Sequence, residues 1–443
     1  MSTGGVERGA AGAGGILIRD GAVLGPEGWW NPGYVYLEQG EMRAAGAGAP
    51  PPPLAEAAGR VISARGKAVL PGVINAHTHF SQVLMRGLAG GRPLVQWLKE
   101  LIWPLQNALT PEEMELAALL GLVENLHCGV TRVIQHHKVV REPAFTDAVC
   151  RAAQTVGLRM TLARSWADMG ANPEPAGAIL DDLRRLYREW HQPGRLEIAN
   201  GPISTWRCSV DTMQKTHALA GEYGAPTHVH VAESQDEVRM TLELFGRRPV
   251  HWLESIGVLD QRTQVVHAVW LEESEKVLLA ERGTTVVHCP VSNMVLGSGI
   301  APAAELLRRG VRVLLGTDGP ASNDTQDIWE TLKAAVGLAR VANLDPTLLP
   351  PAQALRLITD GRTVREGAPA DIIIVNIRHA RAVPVHDLDS ALTLCTHGSD
   401  VETVIVDGRV LMEEGRVLVL DELALLEEAE STLRHLRRRL GWE

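Results

Sequence analysis

The sequence predicts an α/β fold: a (β/α)8 TIM barrel carrying a small β-sandwich domain built from both ends of the chain. Three observations predict it. The middle of the chain alternates eight apolar strand-like runs with helical stretches, as βα units do. Both ends read instead as short strands broken by turns. The polar residues of the middle collect at the C-terminal ends of its strand-like runs, the face on which an eight-stranded parallel barrel builds its site.

A chain of 443 residues suits one large barrel with an accessory module. Met1 to Gly15 is rich in Gly and Ala and lacks a basic segment followed by an apolar core, so a flexible leader is expected rather than a signal peptide. Ile16-Leu-Ile-Arg-Asp-Gly and Val35-Tyr-Leu-Glu-Gln-Gly read as hairpin text, and Pro50 to Pro53 is a stiff break. Residues 1–66 are thus assigned to the N-terminal part of the sandwich and 67–360 to the barrel. The barrel strands are expected at Val69–His79, Val130–His137, Arg159–Trp166, Leu196–Ser204, Pro226–Glu233, Gln264–Trp270, Thr284–Pro290 and Val311–Asp318. Thr110 is a candidate N-cap for the acidic-started helix at Pro111, and His127 near its end reads as structural. Asp371-Ile-Ile-Ile-Val and the strand text from Val401 complete the sandwich over 361–420, and a charged helix closes the chain over 421–443.

Composition narrows the function. Apolar residues at 45% and charged residues at 22% allow a sizeable core, and a net charge of -10 carries no basic footprint for nucleic acid. The five cysteines are scattered, with no CxxC pair, which points to a reducing compartment, and so to a cytoplasmic protein, without a disulfide framework. No apolar run is long enough to predict a membrane span.

His77-Thr78-His79 ends the first barrel strand, where residues two apart share a face and both imidazoles can reach one ion. Imidazoles with a distant carboxylate suit Zn2+ or Fe2+ and leave a coordination position open. Alone, an HxH pair is usually chance; here His136, His230, His267, His288 and Asp318 end other strands and turn the balance.

Leu70-Pro-Gly-Val-Ile-Asn-Ala-His-Thr-His resembles the opening signature of the amidohydrolase superfamily. His228-Val-His-Val-Ala-Glu, Val266-His267, His288-Cys-Pro-Val-Ser-Asn and Leu315-Gly-Thr-Asp-Gly-Pro-Ala-Ser-Asn-Asp resemble its cytosine/adenosine/triazine deaminase branch. The resemblance implies one divalent ion, Zn2+ or alternatively Fe2+, on His77, His79, His230 and Asp318, with His267 beside it. The family's H-x-x-E pattern selects His230 over its neighbour His228, because Glu233 follows three residues later. Binuclear relatives carry a lysine at the end of strand four; Ile198-Ala-Asn-Gly-Pro-Ile-Ser has none, which favours a single metal. The implied chemistry is replacement of an exocyclic amino group of a purine, pterin or similar heterocycle by oxygen, with Glu233, His267 and Asp318 as catalytic groups. For Glu233 the alternative is a cap on the helix that follows it. The resemblance also implies a homo-oligomer, dimer or tetramer, with a small-molecule substrate.

Substrate contacts are expected from Trp103, Gln106, His136, His137, Arg164, Trp206, His288 and Asn323. Ile102-Trp-Pro-Leu-Gln resembles a segment of methylthioadenosine/S-adenosylhomocysteine deaminases, but Gln106 stands where that group carries a ribose-binding acid. Gln135-His136-His137 instead resembles guanine and 8-oxoguanine deaminases. Displacement of chloride or an alkylamine from a triazine is a second enzymatic reading, and a barrel that has lost catalysis a third. After the barrel, Leu357-Ile-Thr-Asp-Gly runs into Arg362-Thr-Val-Arg-Glu-Gly without the family's usual Ala-Thr-x-x-Gly-Ala turn.

Overall fold

The computed structural model describes residues 14–88, 91–92 and 94–442. The expected leader lies outside the described residues apart from its last two, and Gly15 already begins the first strand. The chain opens with β1 (Gly15–Gly25), β2 (Gly28–Glu38), β3 (Glu41–Ala47), β4 (Ala58–Ser63) and β5 (Lys67–Pro71). The barrel strands are β6 (Val73–Thr78), β7 (Val130–His137), β8 (Arg159–Trp166), β9 (Leu196–Pro202), β10 (Thr227–Val231), β11 (Thr263–His267), β12 (Thr285–His288) and β13 (Arg312–Leu315). After them come β14 (Ile372–Asn376), β15 (Val401–Val406), β16 (Arg409–Glu413) and β17 (Arg416–Val417).

β6 to β13 pair in sequence order as one parallel eight-stranded sheet with helices between the strands, the barrel that the alternation predicts. Its interior is filled by Ile74, Ala76, Ile134, Val266, Val287, Cys289 and Leu314. The ring closes where β13 meets β6. There the backbone N–H of Asp318 donates to the His77 carbonyl at 3.0 Å, and the Asn75 side chain bridges to Thr317 Oγ1 at 2.8 Å. Gly316 makes this approach feasible, since a Cβ at that position would stand 2.7 Å from the His77 Cβ.

Two expectations change. The predicted strand Val69–His79 is two strands separated at Gly72, and the first of them, Lys67–Pro71, belongs to the terminal sheet and not to the barrel. Pro71 offers no N–H to continue a ladder, and Gly72 donates to the Asp371 carbonyl at 2.9 Å, turning the chain from one sheet to the other. The barrel therefore starts at Val73 instead of residue 67. The terminal strands form one continuous mixed sheet of nine strands, in which β5 pairs with β1 in parallel and with β14 antiparallel. Strand alternation divides its faces: Ile372 and Ile374 enter a core of the module's own, while Ile373 and Val375 join the main core against the barrel. The Arg159 guanidinium, in the barrel, forks onto the Asp371 carboxylate at 2.7 and 3.0 Å and locks the two units together.

The closing helix, Glu422–Leu440, buries Leu425 and Leu436 against the helix Pro111–His127. His127 pairs with Glu422 at 2.8 Å, which gives this histidine a structural partner. Thr110 caps the older helix through a reciprocal capping box with Glu113. No described helix is long and apolar enough to cross a membrane.

Candidate metal centre and active site

Four side chains converge at the C-terminal mouth of the barrel. His77 is the fifth residue of β6 and His79 follows its end, His230 is the fourth residue of β10, and Asp318 follows β13. His77 Nε2 and His79 Nε2 lie 3.4 and 3.2 Å from Asp318 Oδ1, and His230 Nε2 lies 3.4 Å from His79 Nε2. With Zn–N bonds of about 2.0–2.1 Å, tetrahedral donors stand about 3.3–3.4 Å apart, so the spacing fits one ion. His77 Nε2 is buried with no hydrogen-bond partner, which is how a ligand nitrogen without its ion should look.

Each imidazole is aimed from behind. The Nδ1–H groups of His79 and His230 donate to the carbonyls of His136 (2.8 Å) and Ile203 (2.7 Å). A carbonyl only accepts, so both rings keep a bare lone pair on Nε2. His77 Nδ1 lies 2.7 Å from His228 Nε2, and His228 Nδ1 lies 2.7 Å from Gln264 Oε1. With the Gln264 oxygen accepting from His228, the same tautomer passes to His77. His228 is thus engaged behind His77, and His230 stands in the donor cluster. Burial pushes His77, His79 and His230 below the usual imidazole range, which keeps them in the neutral, ligating form at pH 7.

Asp318 is fixed with equal care. Its Oδ2 accepts from Ser292 Oγ at 2.6 Å and Ser322 Oγ at 3.3 Å, leaving Oδ1 for the cluster. Burial alone would raise its carboxyl, but the imidazoles of His77, His79 and His267 grouped around it hold it well below the carboxylate range. Asp318 and His267 both adopt left-handed backbone, φ +59° and +71°, at a cost of roughly 1–3 kcal/mol each. Strain of this kind persists where surrounding structure imposes it, here the turns that carry both side chains off the barrel rim.

His267 donates from Nδ1 to Asn293 Oδ1 at 3.0 Å and turns Nε2 toward Glu233 Oε2 at 3.7 Å. The cap of the helix that follows Glu233 is Ser234, whose Oγ accepts from the Glu237 N–H at 3.2 Å. Glu233 is left facing the mouth, with Ser298 Oγ donating to its Oε1 at 3.4 Å. Behind it, Glu237 Oε2 accepts the Glu233 N–H at 2.8 Å, and burial lifts the Glu237 carboxyl to about 8. An unfolded glutamate titrates near about 4.3, so the neutral form favours the fold below that pH and its contribution is lost as pH rises through about 8. Glu237→Gln should therefore gain stability relative to the parent between pH 5 and 9, read as a Tm difference that widens with pH. A difference independent of pH would remove the buried neutral carboxyl.

The mouth opens into a cavity of about 460 Å3 lined by His79, His230, Glu233, His267 and Asp318 below and by Trp97, Trp103, Trp166 and Trp206 around. Of the expected substrate contacts, Trp103, Gln106 and Trp206 line it, while His136, His137, Arg164, His288 and Asn323 do not. The reasons are visible. Arg164 is forked onto Glu174 at 2.6 Å and paired with Asp182 at 2.8 Å, so its charge is already matched inside the protein. Asn323 donates to the Thr317 carbonyl at 2.7 Å, and His136 Nε2 donates to the Gly201 carbonyl at 3.1 Å beneath the site. His137 and His288 are buried off the cavity, with pKa values lowered to about 3 by burial.

Sequence reasoning missed Lys138, which lines the cavity, and the Ser292–Asn293 pair that holds Asp318 and His267. Alternation along β7 could have found the lysine, since 136 and 138 share a strand face. Burial lowers its ammonium, against the pull of Asp318 and Glu233.

The description "Amidohydrolase family" fits residues 68–411 of this chain. The chain belongs to the amidohydrolase family. The chain is 38% identical over 387 residues to a protein of Methanothermobacter thermautotrophicus named 5'-deoxyadenosine deaminase, covering 85% of this chain and 89% of that one. It is 34% identical over 431 residues to a 5-methylthioadenosine/S-adenosylhomocysteine deaminase of Pelotomaculum thermopropionicum, covering 94% and 97%. Among solved structures it resembles an adenosine deaminase from Xanthomonas campestris with bound zinc, at TM-score 0.88 and 28% identity over 97% and 99% of the two chains. With this family membership and the donor cluster, the chain is a metal-dependent hydrolase acting on C–N bonds, with a site built for one divalent ion. A barrel that has lost catalysis does not fit this family membership together with the intact donor cluster.

Proposed function

We propose that this amidohydrolase-family chain deaminates a 6-aminopurine nucleoside of the 5'-deoxyadenosine type, giving the 6-oxo product and ammonia, with zinc as the resident ion. Similarity over most of the chain to relatives named for such nucleosides carries the reading. The site supports it. A cavity of about 460 Å3 falls in the range of about 300–1,000 Å3 typical of sites for whole small molecules, and its tryptophans suit a flat base. Gln106 gives its amide nitrogen to Ser81 Oγ at 3.1 Å, which leaves its oxygen to accept from a sugar hydroxyl in place of the acid found in similar deaminases. The guanine-type reading leaned on His136 and His137, and neither lines the cavity.

A bound divalent ion would lower the pKa of a coordinated water from 15.7 to about 7. The side chains supply the remainder of the chemistry. Asp318, held ionised, accepts a proton from the attacking water, and His267 hydrogen-bonds that oxygen as it joins C6. Glu233 donates a proton to the ring nitrogen beside C6, then moves the proton of the new C6 hydroxyl to the departing amino group, and regains its own from Asp318. The C–N bond breaks, ammonia leaves and C6 keeps the oxygen of water.

Ammonia release from 5'-deoxyadenosine, methylthioadenosine, S-adenosylhomocysteine, guanine and 8-oxoguanine tests the assignment. Turnover confined to the adenosine derivatives is expected; turnover of guanine or 8-oxoguanine alone would overturn it. Replacing Gln106 by Ala should raise KM for the nucleoside up to about tenfold with kcat little changed, since one neutral hydrogen bond contributes about 0.5–1.5 kcal/mol. An unchanged KM would remove Gln106 from the sugar subsite. The chain's five unpaired cysteines favour a cytoplasmic setting, and its family resemblance a dimer or tetramer, which light scattering after gel filtration would measure.

A further inference from the structure

The other end of the barrel holds a second cavity, of about 430 Å3, at the N-terminal ends of the strands. Polar groups line it: Arg132 of β7, Thr161 of β8, Glu197 of β9, Gln264 of β11 and Arg312 of β13, with Arg362 from the segment after the barrel. Arg312 is matched by Asp360 at 2.7 Å, and Arg262, also on the wall, by Asp260 at 2.7 Å. The remaining two are not matched. Among the described residues neither Arg132 nor Arg362 has a carboxylate within 4 Å, and Arg132 Nε is buried without a hydrogen-bond partner. Arg362 donates only to carbonyls, those of Thr359 at 3.0 Å and Gly72 at 2.7 Å. Burial first, then the like charge of Arg132, lowers the Arg362 guanidinium, against the more distant pull of Asp371 and Asp360, neither of which pairs with it. Two carboxylates share the wall: Asp360 is taken by Arg312, and Glu197 is engaged by the Gly194 N–H at 2.8 Å and the Thr161 hydroxyl at 3.3 Å.

Arg362 lies in the stretch where the sequence departs from its family pattern. The shortened connection ends the helix Pro351–Thr359 with a left-handed Asp360, and the next turn places Arg362 at the barrel floor.

We propose that this basal cavity is a binding site for a small oxyanion, inorganic phosphate or the phosphoryl group of a small metabolite, gripped by Arg132 and Arg362. Guanidinium forks match such oxygens in geometry as well as charge, and an anion would supply the hydrogen-bond partner that Arg132 Nε lacks. The site lies at the opposite end of the barrel from the mouth, separated from His77 by Gln264 and His228, and the proposal is independent of the nucleoside assignment.

Equilibrium dialysis of the metal-loaded protein against inorganic phosphate, and separately against ribose 5-phosphate, tests it. One saturable site per chain is expected, with tighter binding of one ligand telling free phosphate from a phosphate ester. Arg132→Gln and Arg362→Gln should each weaken binding about tenfold or more, and Lys138→Gln, in the catalytic cavity, should leave it unchanged. Arg132→Lys keeps the charge and loses the fork, so an intermediate loss is expected even if the glutamine variant does not fold. Absence of saturable binding up to about 10 mM in the parent would overturn the site. So would binding that survives both arginine changes, or that falls only in Lys138→Gln.

Discussion

Glu233→Gln should reduce kcat for ammonia release by about 10^2–10^4-fold, the range that a positioned general acid–base group contributes. The variant keeps size and shape but can neither deliver a proton to the ring nitrogen nor carry one to the leaving amine. The metal content should not change, because the carboxylate faces His267 Nε2 at 3.7 Å and stands outside the cluster of His77, His79, His230 and Asp318. Metal analysis and ammonia assay on one preparation separate the two effects. Undiminished turnover would refute the proton-transfer role; loss of the ion together with activity would mean that Glu233 belongs to the coordination sphere.

Removal of the ion should have the second large effect. Treatment with a chelator is expected to abolish turnover, and one equivalent of Zn2+ per chain to restore it. Stability should fall as well, because binding to the native state alone contributes about 4 kcal/mol when free ligand exceeds Kd a thousandfold. The stripped protein would bury three imidazole nitrogens and the Asp318 carboxylate around an empty centre, and its Tm should rise again on titration with Zn2+. Full activity after complete removal would exclude the metal-dependent chemistry. Restoration only by two equivalents would exclude the single-ion site, for which the missing lysine on β9 argues.

The fold was legible because strand alternation and helix text repeat strongly over the middle of the chain, and because a parallel barrel confines its reactive residues to one rim. The ligand cluster was legible for the same reason: His77, His79, His230 and Asp318 each stand near or just past the C-terminal end of a strand. The substrate contacts were harder to read. Arg164 reads as a free guanidinium until Glu174 and Asp182, which arrive from later in the chain, are seen against it. His137 stands beside His136 in the sequence, yet alternation points the two in opposite directions. The break at Gly72 depends on strand partners contributed by β14, which no local pattern announces.

That pairing has a consequence for how the chain is made. β5 waits for β14, so the N-terminal sheet cannot be completed until the whole barrel has left the ribosome. At about 5–20 residues per second the delay is some tens of seconds, during which the β5 edge lacks its later partner. β1 to β5 can pair among themselves early, but their sheet stays open at β5, and nascent chains released short of β14 should be the ones that aggregate or recruit chaperones.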